Sequence, residues 1–206
     1  MIYLIITTSI NNKIGINNSD HRKQRYTDSI NAVLAFVKDD PNIKPIIVEN
    51  NGPRKTYLDD FGCDVVYTNN NTQRFPHKGV NELMDINEVG RQYNIQNDDY
   101  IIKLTGRYRL LNSSFIDQVK RGADKKEAFV KFFNVCTLQY MFDDCVLGLF
   151  AVKAKYLKMF GYSCVRSPEC EFADHLRKHV DPLKIAEIQD LGLECCFADD
   201  LRMLLV

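Results

Sequence analysis

Apolar runs and helical stripes alternate along the first half of the chain. Four β-prone apolar runs that end in polar or turn-forming residues predict buried strands at residues 2–8, 45–49, 64–67 and 100–104. Apolar residues recur at helical spacing in residues 30–37 and 80–93. Strands and helices that alternate in this way favour a mostly parallel sheet with helices on both faces. The pattern therefore predicts an α/β fold with a Rossmann-like central sheet.

The second half of the chain is less regular. Residues 127–135 and 146–152 predict two further strands, residues 154–160 a short helix, and residues 185–197 one or two strands. The clearest helix covers residues 167–180, where Ser167 suits the N-cap and Pro168 the first helical position. Glu169 and Glu171 then place negative charge at the positive end of the helix dipole.

Composition predicts a single domain, residues 1–206. Apolar residues make up 45% of the 206 residues, and no internal repeat or Pro/Gly-rich linker divides the chain. The formal net charge is zero, whereas binding to nucleic-acid phosphates usually requires a basic surplus, so we expect no nucleic-acid partner. The apolar N-terminal run is too short to span a membrane and lacks the features of a secretion signal. Seven cysteines without metal-ligand spacing indicate reduced thiols and a cytoplasmic location.

Polar side chains follow the first two predicted strands at their carboxyl ends, where open α/β sheets bind ligands. These residues are Thr7, Thr8, Ser9, Glu49, Asn50 and Asn51. Loops are polar in most proteins, so one such residue indicates little. Polar, hydrogen-bonding residues at the ends of several consecutive strands together indicate a binding site.

The end of the fourth predicted strand carries the most informative chemistry. Strand alternation places Lys103, Thr105 and Arg107 on one face, with Gly106 on the other. Two cations and a hydroxyl beside a glycine suit the oxygens of a diphosphate. The alternative is an exposed strand edge with structural salt bridges.

The segment His77-Lys78-Gly79 opens a predicted helix. Its backbone N–H groups and the helix dipole also suit an anion, although a plain helix start explains the segment equally well.

Two acidic segments of the second half are candidates for chemistry. Residues two apart on a helix point about 200° from each other, so Glu169 and Glu171 cannot share a task. Glu169 lies on the apolar side of its helix and is a candidate general base, the alternative being a residue that only compensates the dipole. Asp143 and Asp144 precede a predicted strand and are candidates for binding an acceptor.

Over most of the chain, the order of these motifs resembles that of family-2-like GT-A glycosyltransferases. In that family a first strand ends in a Thr/Asn-bearing loop, similar to residues 5–9, and a second ends in an acidic residue that contacts the nucleoside, similar to residues 46–52. A helix start with Gly and Asn is similar to residues 77–81, and the acidic segment that supplies the base is similar to residues 168–172. Small glycosyltransferase domains of the chlorella-virus type are similar in size, which implies the host cytoplasm if the protein is viral.

The resemblance implies transfer of a hexosyl or pentosyl group from a nucleoside diphosphate, with a UDP-sugar as the first expectation. The acceptor would be a glycan, a glycoprotein or another hydroxyl-bearing molecule. The base and ribose would contact Thr7, Thr8, Glu49 and Asn50, with Arg25 as a loop contact.

The resemblance also implies the catalytic roles. Lys78, Lys103 and Arg107 would stabilise charge on the leaving diphosphate. Glu169 would deprotonate the acceptor hydroxyl in one in-line displacement with inversion of configuration.

One departure from the family concerns the metal. Where the family carries an Asp-x-Asp motif, this chain reads Thr105-Gly106-Arg107. A Mn²⁺ or Mg²⁺ ion that bridges diphosphate oxygens needs carboxylate ligands, so we expect direct neutralisation by side-chain cations and no cofactor. Asp98, Asp99 and Asp144 stay open as alternative metal ligands.

Two other functions remain possible. Nucleotidyltransferases on a similar sheet usually carry a Gly-rich phosphate loop after the first strand, and residues 8–12 contain no glycine. A dinucleotide-binding enzyme is disfavoured because the chain has no Gly-x-Gly-x-x-Gly sequence. The alternative from a different functional class is a protein without catalytic activity. It would be a carbohydrate- or nucleotide-binding domain, or a degenerate transferase.

Overall fold

The computed structural model describes residues 1–11, 19–73, 75–196 and 202–206. The described residues form strands β1 (Ile2–Thr8), β2 (Ile43–Glu49), β3 (Asp64–Tyr67), β4 (Tyr100–Thr105), β5 (Arg109–Leu110), β6 (Ala128–Val130), β7 (Leu149–Lys153), β8 (Ile185–Glu187), β9 (Leu193–Cys196) and β10 (Met203–Leu205). They also form α-helices α1 (Ser19–Val37), α2 (Gly79–Gln92), α3 (Ser114–Gly122), α4 (Ala154–Lys158) and α5 (Pro168–His179).

The main sheet has seven strands in the order β3-β2-β1-β4-β7-β6-β8. Every neighbouring pair except those of β7 is parallel, and β7 runs antiparallel to both β4 and β6. A small antiparallel sheet, β10-β9-β5, lies beside it. The predicted mostly parallel α/β sheet is confirmed.

Two apolar cores lie on the two faces of the main sheet. Leu4 and Ile6 of β1 point into one core together with apolar residues of α1 and α3. Ile5 points into the other core, where it meets apolar residues of α2, α4 and α5. The alternation follows from the two-residue period of a strand, and it explains why β1 is apolar along its whole length.

Several predicted boundaries differ from the structure. The strand predicted at residues 127–135 is shorter, because Asn134 accepts the backbone N–H groups of Cys136 and Thr137 and turns the chain out of the sheet. Helix α1 starts at Ser19, so Arg25 belongs to a helix and the loop position predicted for it is wrong. The sequence patterns also missed α3, β5 and β10, which are short. The predictions at Asn12 and Phe197 lie outside the described residues.

The seven cysteines are all free thiols, so packing, hydrogen bonds and ion pairs hold distant parts of the chain together. None of the described helices is both long and apolar enough to cross a membrane.

The strand order reverses at β1. The chain runs from β1 to β2 and β3 on one side and then places β4 on the other side. The crevice beyond the carboxyl ends of β1 and β4 is the position at which open α/β sheets bind ligands. Here the N–H of Gly106 donates to the carbonyl of Thr7 at 2.8 Å.

Gly106 has no room for a side chain. A Cβ atom there would lie 2.9 Å from Cγ2 of Thr8 and 3.0 Å from the carbonyl oxygen of Thr7. We expect Gly106→Ala to destabilise the protein by about 1–3 kcal/mol, since overpacking forces a backbone shift. For a chain of this length, that lowers the Tm by roughly 2–12 °C in thermal unfolding followed by circular dichroism.

Gly90→Ala is the matched control. Gly90 lies inside α2, and a Cβ atom added there would meet no atom within 4 Å beyond the backbone of its own helix. This substitution should stabilise the protein by about 0.5–1 kcal/mol through helix propensity. Equal Tm values for Gly106→Ala and the wild type would show that the backbone contact tolerates a side chain.

Candidate functional site

Two connected hollows open at the carboxyl ends of β1 and β4. The larger hollow, the main cavity, has a volume of about 320 Å³. It is lined by His77, Lys78, Gly79, Glu82, Lys103, Thr105, Arg107, Tyr108, Val135, Cys145, Val146, Leu147, Gly148, Pro168, Glu169 and Cys195. The smaller hollow, the β1 notch, is lined by Thr7, Thr8, Ser9, Arg22, Tyr26, Asn50, Asn71, Lys78, Asn81, Glu82 and Arg107. Lys78, Glu82 and Arg107 border both hollows.

Most of the predicted site residues meet at these hollows. The main cavity brings together His77, Lys78, Lys103, Thr105, Arg107 and Glu169. The β1 notch brings together Thr7, Thr8, Ser9 and Asn50 with two of the same cations. The predicted residues that line neither hollow are Arg25, Glu49, Asn51, Gly106, Asp143 and Asp144.

The first turns of α2 and α5 meet on the wall of the main cavity. A Cβ atom on Gly79 would lie 2.8 Å from Cβ of Pro168, so only glycine permits this approach. Lys78 stands at the N-cap of α2 and has no acceptor atom with which to cap the first amides. The positive end of the α2 dipole is therefore available to an anion in the cavity.

Three cations surround the junction of the two hollows. Arg107 donates from Nε to the carbonyl of Cys196 at 2.8 Å. Arg22 donates from Nε to the carbonyl of Ser9 at 3.0 Å. Burial, together with the nearby charges of Arg107 and Arg22, lowers the pKa of Lys78 to about 8. Each cation thus raises the electrostatic energy of the others, and an anion at this place would relieve the repulsion.

Lys103 is saturated by protein oxygens. Its Nζ lies 2.6 Å from Oγ1 of Thr105, 2.8 Å from the carbonyl of Leu147 and 2.7 Å from Oε2 of Glu82. An ammonium group has three N–H donors, so all of them are used. The alternation that placed Lys103 and Thr105 on one face is correct, but the ammonium group of Lys103 lies in the cavity wall as part of an ion pair with Glu82.

Glu82 was missed by the sequence analysis, although it borders both hollows. It lies in the first turn of α2, where an acidic residue is common for dipole reasons alone. Arg22 and Asn81 were missed for a related reason, since they are polar residues of helices and the periodic signal marks only apolar faces. Tyr26 continues the apolar stripe of α1 into the core, so the pattern did not show that it also borders the notch.

Glu169 is the acidic residue of the α5 start that faces the main cavity. Burial raises the pKa of its carboxyl group above the usual range, and the charges of Asp144 and Glu82 add to this effect. Glu171 points the other way and accepts the backbone N–H groups of residues 163, 165 and 166. The predicted separation of the two glutamates matches their positions, and Glu169 has the burial and pKa direction that suit a general base.

Glu49 lies beneath the β1 notch. Its side chain is fully buried, and its carboxylate accepts from Oγ1 of Thr8, the N–H of Ile10 and a nitrogen of Asn51. Arg54 completes the set with an ion pair at 3.2 Å. In this arrangement Glu49 fixes the loop after β1, because its carboxylate is satisfied from within the protein.

Arg25 also has a structural position. Its Nε donates to the carbonyl of Arg107 at 3.1 Å, and its Nη2 pairs with Glu194 at 2.6 Å. Arg25 therefore ties α1 to the turn after β4, and Arg22, one helical turn earlier, is the arginine that borders the β1 notch.

The two residues predicted to bind the acceptor molecule, Asp143 and Asp144, stabilise a neighbouring loop. Asp144 is buried and accepts from Nδ2 of Asn134 at 2.6 Å. Asp143 pairs with Arg166 at 2.7 Å. Both therefore hold loop backbone in place beside the cavity.

The residues of the site do not form a carboxylate cage for a divalent cation. Glu82 and Glu169 line the main cavity, but Glu82 is committed to Lys103. Of the three alternatives left open, Asp98 and Asp99 precede the start of β4 at the opposite edge of the sheet, and Asp144 accepts a hydrogen bond from Asn134. No group of three or more His, Cys, Asp or Glu side chains is placed to hold a metal within the described ranges.

Asp85 joins the two loops that follow β2 and β3. Its carboxylate accepts from Oγ1 of Thr68 at 2.6 Å, from Nδ2 of Asn70 at 2.7 Å and from Nδ2 of Asn50 at 3.0 Å. The residue is fully buried, and burial raises its pKa to about 6 in spite of these bonds. Asp85 holds Asn50 in place on the wall of the β1 notch.

The fold is similar to those of several solved transferases. A protein described as a nucleotide-diphospho-sugar transferase of Desulfovibrio desulfuricans G20 is 7% identical, with a TM-score of 0.56 over 91% of this chain and 79% of that one. The mannosyltransferase PcManGT of Pyrobaculum calidifontis, solved with GDP-Man and Mn²⁺, is 11% identical, with a TM-score of 0.58 over 92% of this chain and 55% of that one. A cytidylyltransferase of Leptospira borgpetersenii is 14% identical, with a TM-score of 0.53 over 100% of this chain and 81% of that one.

The fold is that of nucleotide-sugar transferases. The expected GT-A-like, Rossmann-like architecture is thereby confirmed, and cytidylyltransferases share it. No protein-family model matches the sequence, and no curated protein matches it either.

Asp85 makes the stability of the protein depend on pH. Between about pH 4 and pH 6 the folded state binds more protons at Asp85 than the unfolded chain does. Rising pH therefore reduces the contribution of Asp85 to the free energy of unfolding. We expect the unfolding free energy of the wild type minus that of Asp85→Asn to fall by about 1 kcal/mol between pH 5 and pH 7. Urea unfolding of both proteins at the two pH values measures the difference. A difference that does not change with pH would contradict the raised pKa.

Proposed function

We propose that this protein is a glycosyltransferase that moves a sugar from a nucleoside diphosphate to a hydroxyl group of a glycan or glycoprotein. The observation that carries the proposal is the main cavity itself. Lys78, Arg107 and the half-buried Glu169 all line this cavity, which opens at the carboxyl ends of the strands, where open α/β sheets bind ligands. A UDP-sugar is the first donor to test.

The cations supply the stabilisation that this reaction needs. When the bond from the sugar to the diphosphate breaks, negative charge develops on the leaving oxygens. Lys78, Arg107 and the positive end of α2 border the place where that charge would appear. Lys103 lies in the wall of the cavity and is held by Glu82, so it would contribute a fixed positive charge without a direct bond to the diphosphate.

His77 provides a further argument for a ligand. Both of its ring nitrogens are buried, and neither has a hydrogen-bond partner among the described residues. A buried polar atom without a partner costs about 1–3 kcal/mol. His77 lines the main cavity, so a bound phosphate or sugar hydroxyl would satisfy it.

Glu169 would act on the acceptor. Its raised pKa keeps the carboxylate basic enough to accept the proton of a hydroxyl group as that oxygen attacks the anomeric carbon. One displacement from the face opposite the diphosphate inverts the configuration at that carbon.

Nucleotidyl transfer is the second candidate, because cytidylyltransferases share the fold. The two reactions differ in what leaves. Glycosyl transfer releases a nucleoside diphosphate, whereas nucleotidyl transfer from a nucleoside triphosphate releases pyrophosphate. A binding domain without activity would release neither.

Glu169→Gln tests the base directly. The amide cannot accept a proton, so turnover of a UDP-sugar to UDP should fall about 10²- to 10⁴-fold while the affinity for UDP stays within about threefold. In the wild type, kcat/KM should rise with pH through an apparent pKa above the usual carboxyl range, as the carboxyl group ionises. Chromatographic detection of UDP and of pyrophosphate measures turnover and identifies the leaving group.

Glu171→Gln is the matched control for this experiment. It makes the same chemical change two residues along α5, on the side that holds residues 163–166. We expect turnover within a few-fold of the wild type. Undiminished turnover in Glu169→Gln would end the assignment of Glu169, and pyrophosphate as the product would favour nucleotidyl transfer.

Lys78 gives the affinity for a nucleoside diphosphate a characteristic pH dependence. Its pKa is about 8 in the empty site, and a bound diphosphate would raise that value by attraction. Binding then takes up a proton above pH 8, so the affinity for UDP should fall by up to about tenfold per pH unit from pH 8 to pH 9. Isothermal titration calorimetry in EDTA measures the affinity and, from buffers of different ionisation enthalpy, the proton uptake.

Lys78→Arg is the control, because arginine stays charged over this range. The variant should bind UDP with a flat pH profile and no proton uptake. Equal slopes in the two proteins would show that another group titrates. An affinity that increases when Mn²⁺ replaces EDTA would refute the metal-free site.

A further inference from the structure

A loop with an aromatic rim adjoins the main cavity. We name residues 134–144 the aromatic loop. Val135 lies within it, and Cys145 and Val146 follow directly after it; all three line the main cavity. The loop is closed at its base, because Nδ2 of Asn134 donates to Asp144 at 2.6 Å. The aromatic loop is therefore continuous with the wall on which Glu169 stands.

Two rings of this loop are exposed, yet both are held in place. Phe142 is 71% exposed and Tyr140 is 59% exposed. The guanidinium carbon of Arg177 lies 3.6 Å from the ring centroid of Phe142 and 3.7 Å from that of Phe132, so Arg177 is stacked between them. Nε of Arg177 also donates to the carbonyl of Phe142 at 2.7 Å.

Tyr140 is fixed by different contacts. Its hydroxyl donates to the carbonyl of Gln189 at 3.1 Å. Its ring meets the ring of Phe133 edge to face at 5.4 Å, and Nζ of Lys131 lies 5.5 Å from its centroid. An exposed apolar side chain is usually mobile, so rings held in this way have already lost the entropy that binding would otherwise remove.

The chemistry of the loop fits a sugar ring. The face of an aromatic ring carries partial negative charge, and the C–H groups on one face of a pyranose carry partial positive charge, so the two faces stack. Thr137 and Gln139 are exposed beside the rings and offer hydrogen bonds to sugar hydroxyl groups. Leu138 is also exposed in this loop, and Met141 lies between the two rings in the sequence. The exposed polar residues Thr137 and Gln139 alternate with Leu138 and Tyr140, and an apolar surface interrupted in this way suits a polar ligand better than a broad protein interface.

We propose that Tyr140 and Phe142 form a stacking platform for a sugar ring of the acceptor. The proposal rests on the proposed function, because the platform would orient a neighbouring hydroxyl towards Glu169. It also gives Asp143 and Asp144 a role in acceptor recognition through the loop that they brace. Tyr140 and Phe142 would be specificity residues, since they would touch the acceptor away from the reacting atoms.

A tryptophan reporter tests the platform without any nucleotide. The chain contains no tryptophan, so Phe142→Trp creates a single indole fluorophore at the platform. We expect a saturable change in its emission on titration with at least one member of a panel of neutral methyl glycosides of hexoses and pentoses. Leu183→Trp is the control, because Leu183 is 83% exposed on a turn outside the loop, and its emission should not change saturably.

A second substitution separates the platform from a general surface effect. Adding Tyr140→Ala to Phe142→Trp should weaken binding of the same glycoside about tenfold, the size of one lost stacking contact, whereas adding Leu183→Ala should leave it unchanged. Tyr140→Trp replaces Phe142→Trp as the reporter if the latter does not fold.

Two results would overturn the platform. The first is the absence of a saturable response to every glycoside in both reporters. The second is an emission change that follows protein concentration together with a dimer in sedimentation, which would assign the rings to a second copy of the chain. Because the titration contains no nucleotide, either result leaves the release of UDP by the wild type as an independent test of glycosyl transfer.

Discussion

The backbone of Gly106 lies against the end of β1, and the position of Arg107 in the site depends on this contact. The β1–β4 ladder ends at the pair Thr7 and Thr105, and the next residue has no side chain to separate the two strands. The chain can therefore turn at once, which places Arg107 on the border of both hollows. A second close approach, that of Gly79 to Pro168, brings the starts of α2 and α5 together. The site is thus formed by backbone proximity, and the charged side chains only need to reach a short distance.

The buried ion pair between Lys103 and Glu82 determines which cations remain available to a ligand. Removing one partner of such a pair is strongly destabilising, because it leaves an uncompensated charge away from water. Glu82 therefore stays with Lys103, and Lys103 stays on its three oxygens. The remaining positive charge belongs to Arg22, Lys78 and Arg107, which stand at the junction of the hollows. Of these three cations, Lys78 has a pKa lowered to about 8, so its charge changes with pH near that value.

The sequence predicted the features that depend on local rules and missed those that depend on distant partners. Ser167 accepts the N–H of Cys170 as an N-cap should, and the helix periodicity then places Glu169 towards the cavity. Strand alternation was equally reliable for Lys103, but the partner that saturates it lies on a different element and leaves no trace near it in the sequence. An acidic residue at a strand end, such as Glu49, can point to a ligand or back to its own loop, and a pattern of residue types does not distinguish the two. The first turns of α1 are mostly polar, so the spacing of apolar residues does not show which of its arginines faces the site.

A site built from side-chain cations differs physically from one that depends on a metal. In a metal-dependent site, carboxylates repel one another until the cation arrives with its ligand. Here the signs are reversed, because the positive charges of Arg107 and Arg22 add to the effect of burial in lowering the pKa of Lys78, and a bound anion would oppose this lowering. In the proposed reaction, part of the affinity for a diphosphate would come from relief of the repulsion between these cations, and the same charges would strengthen their hold as the leaving group gains charge. The ion pair with Glu82 compensates the charge of Lys103, so this fourth cation adds little to the repulsion at Lys78. Glu82 therefore lowers the repulsion between cations in the empty site and, for the same reason, lowers the attraction of the site for an anion.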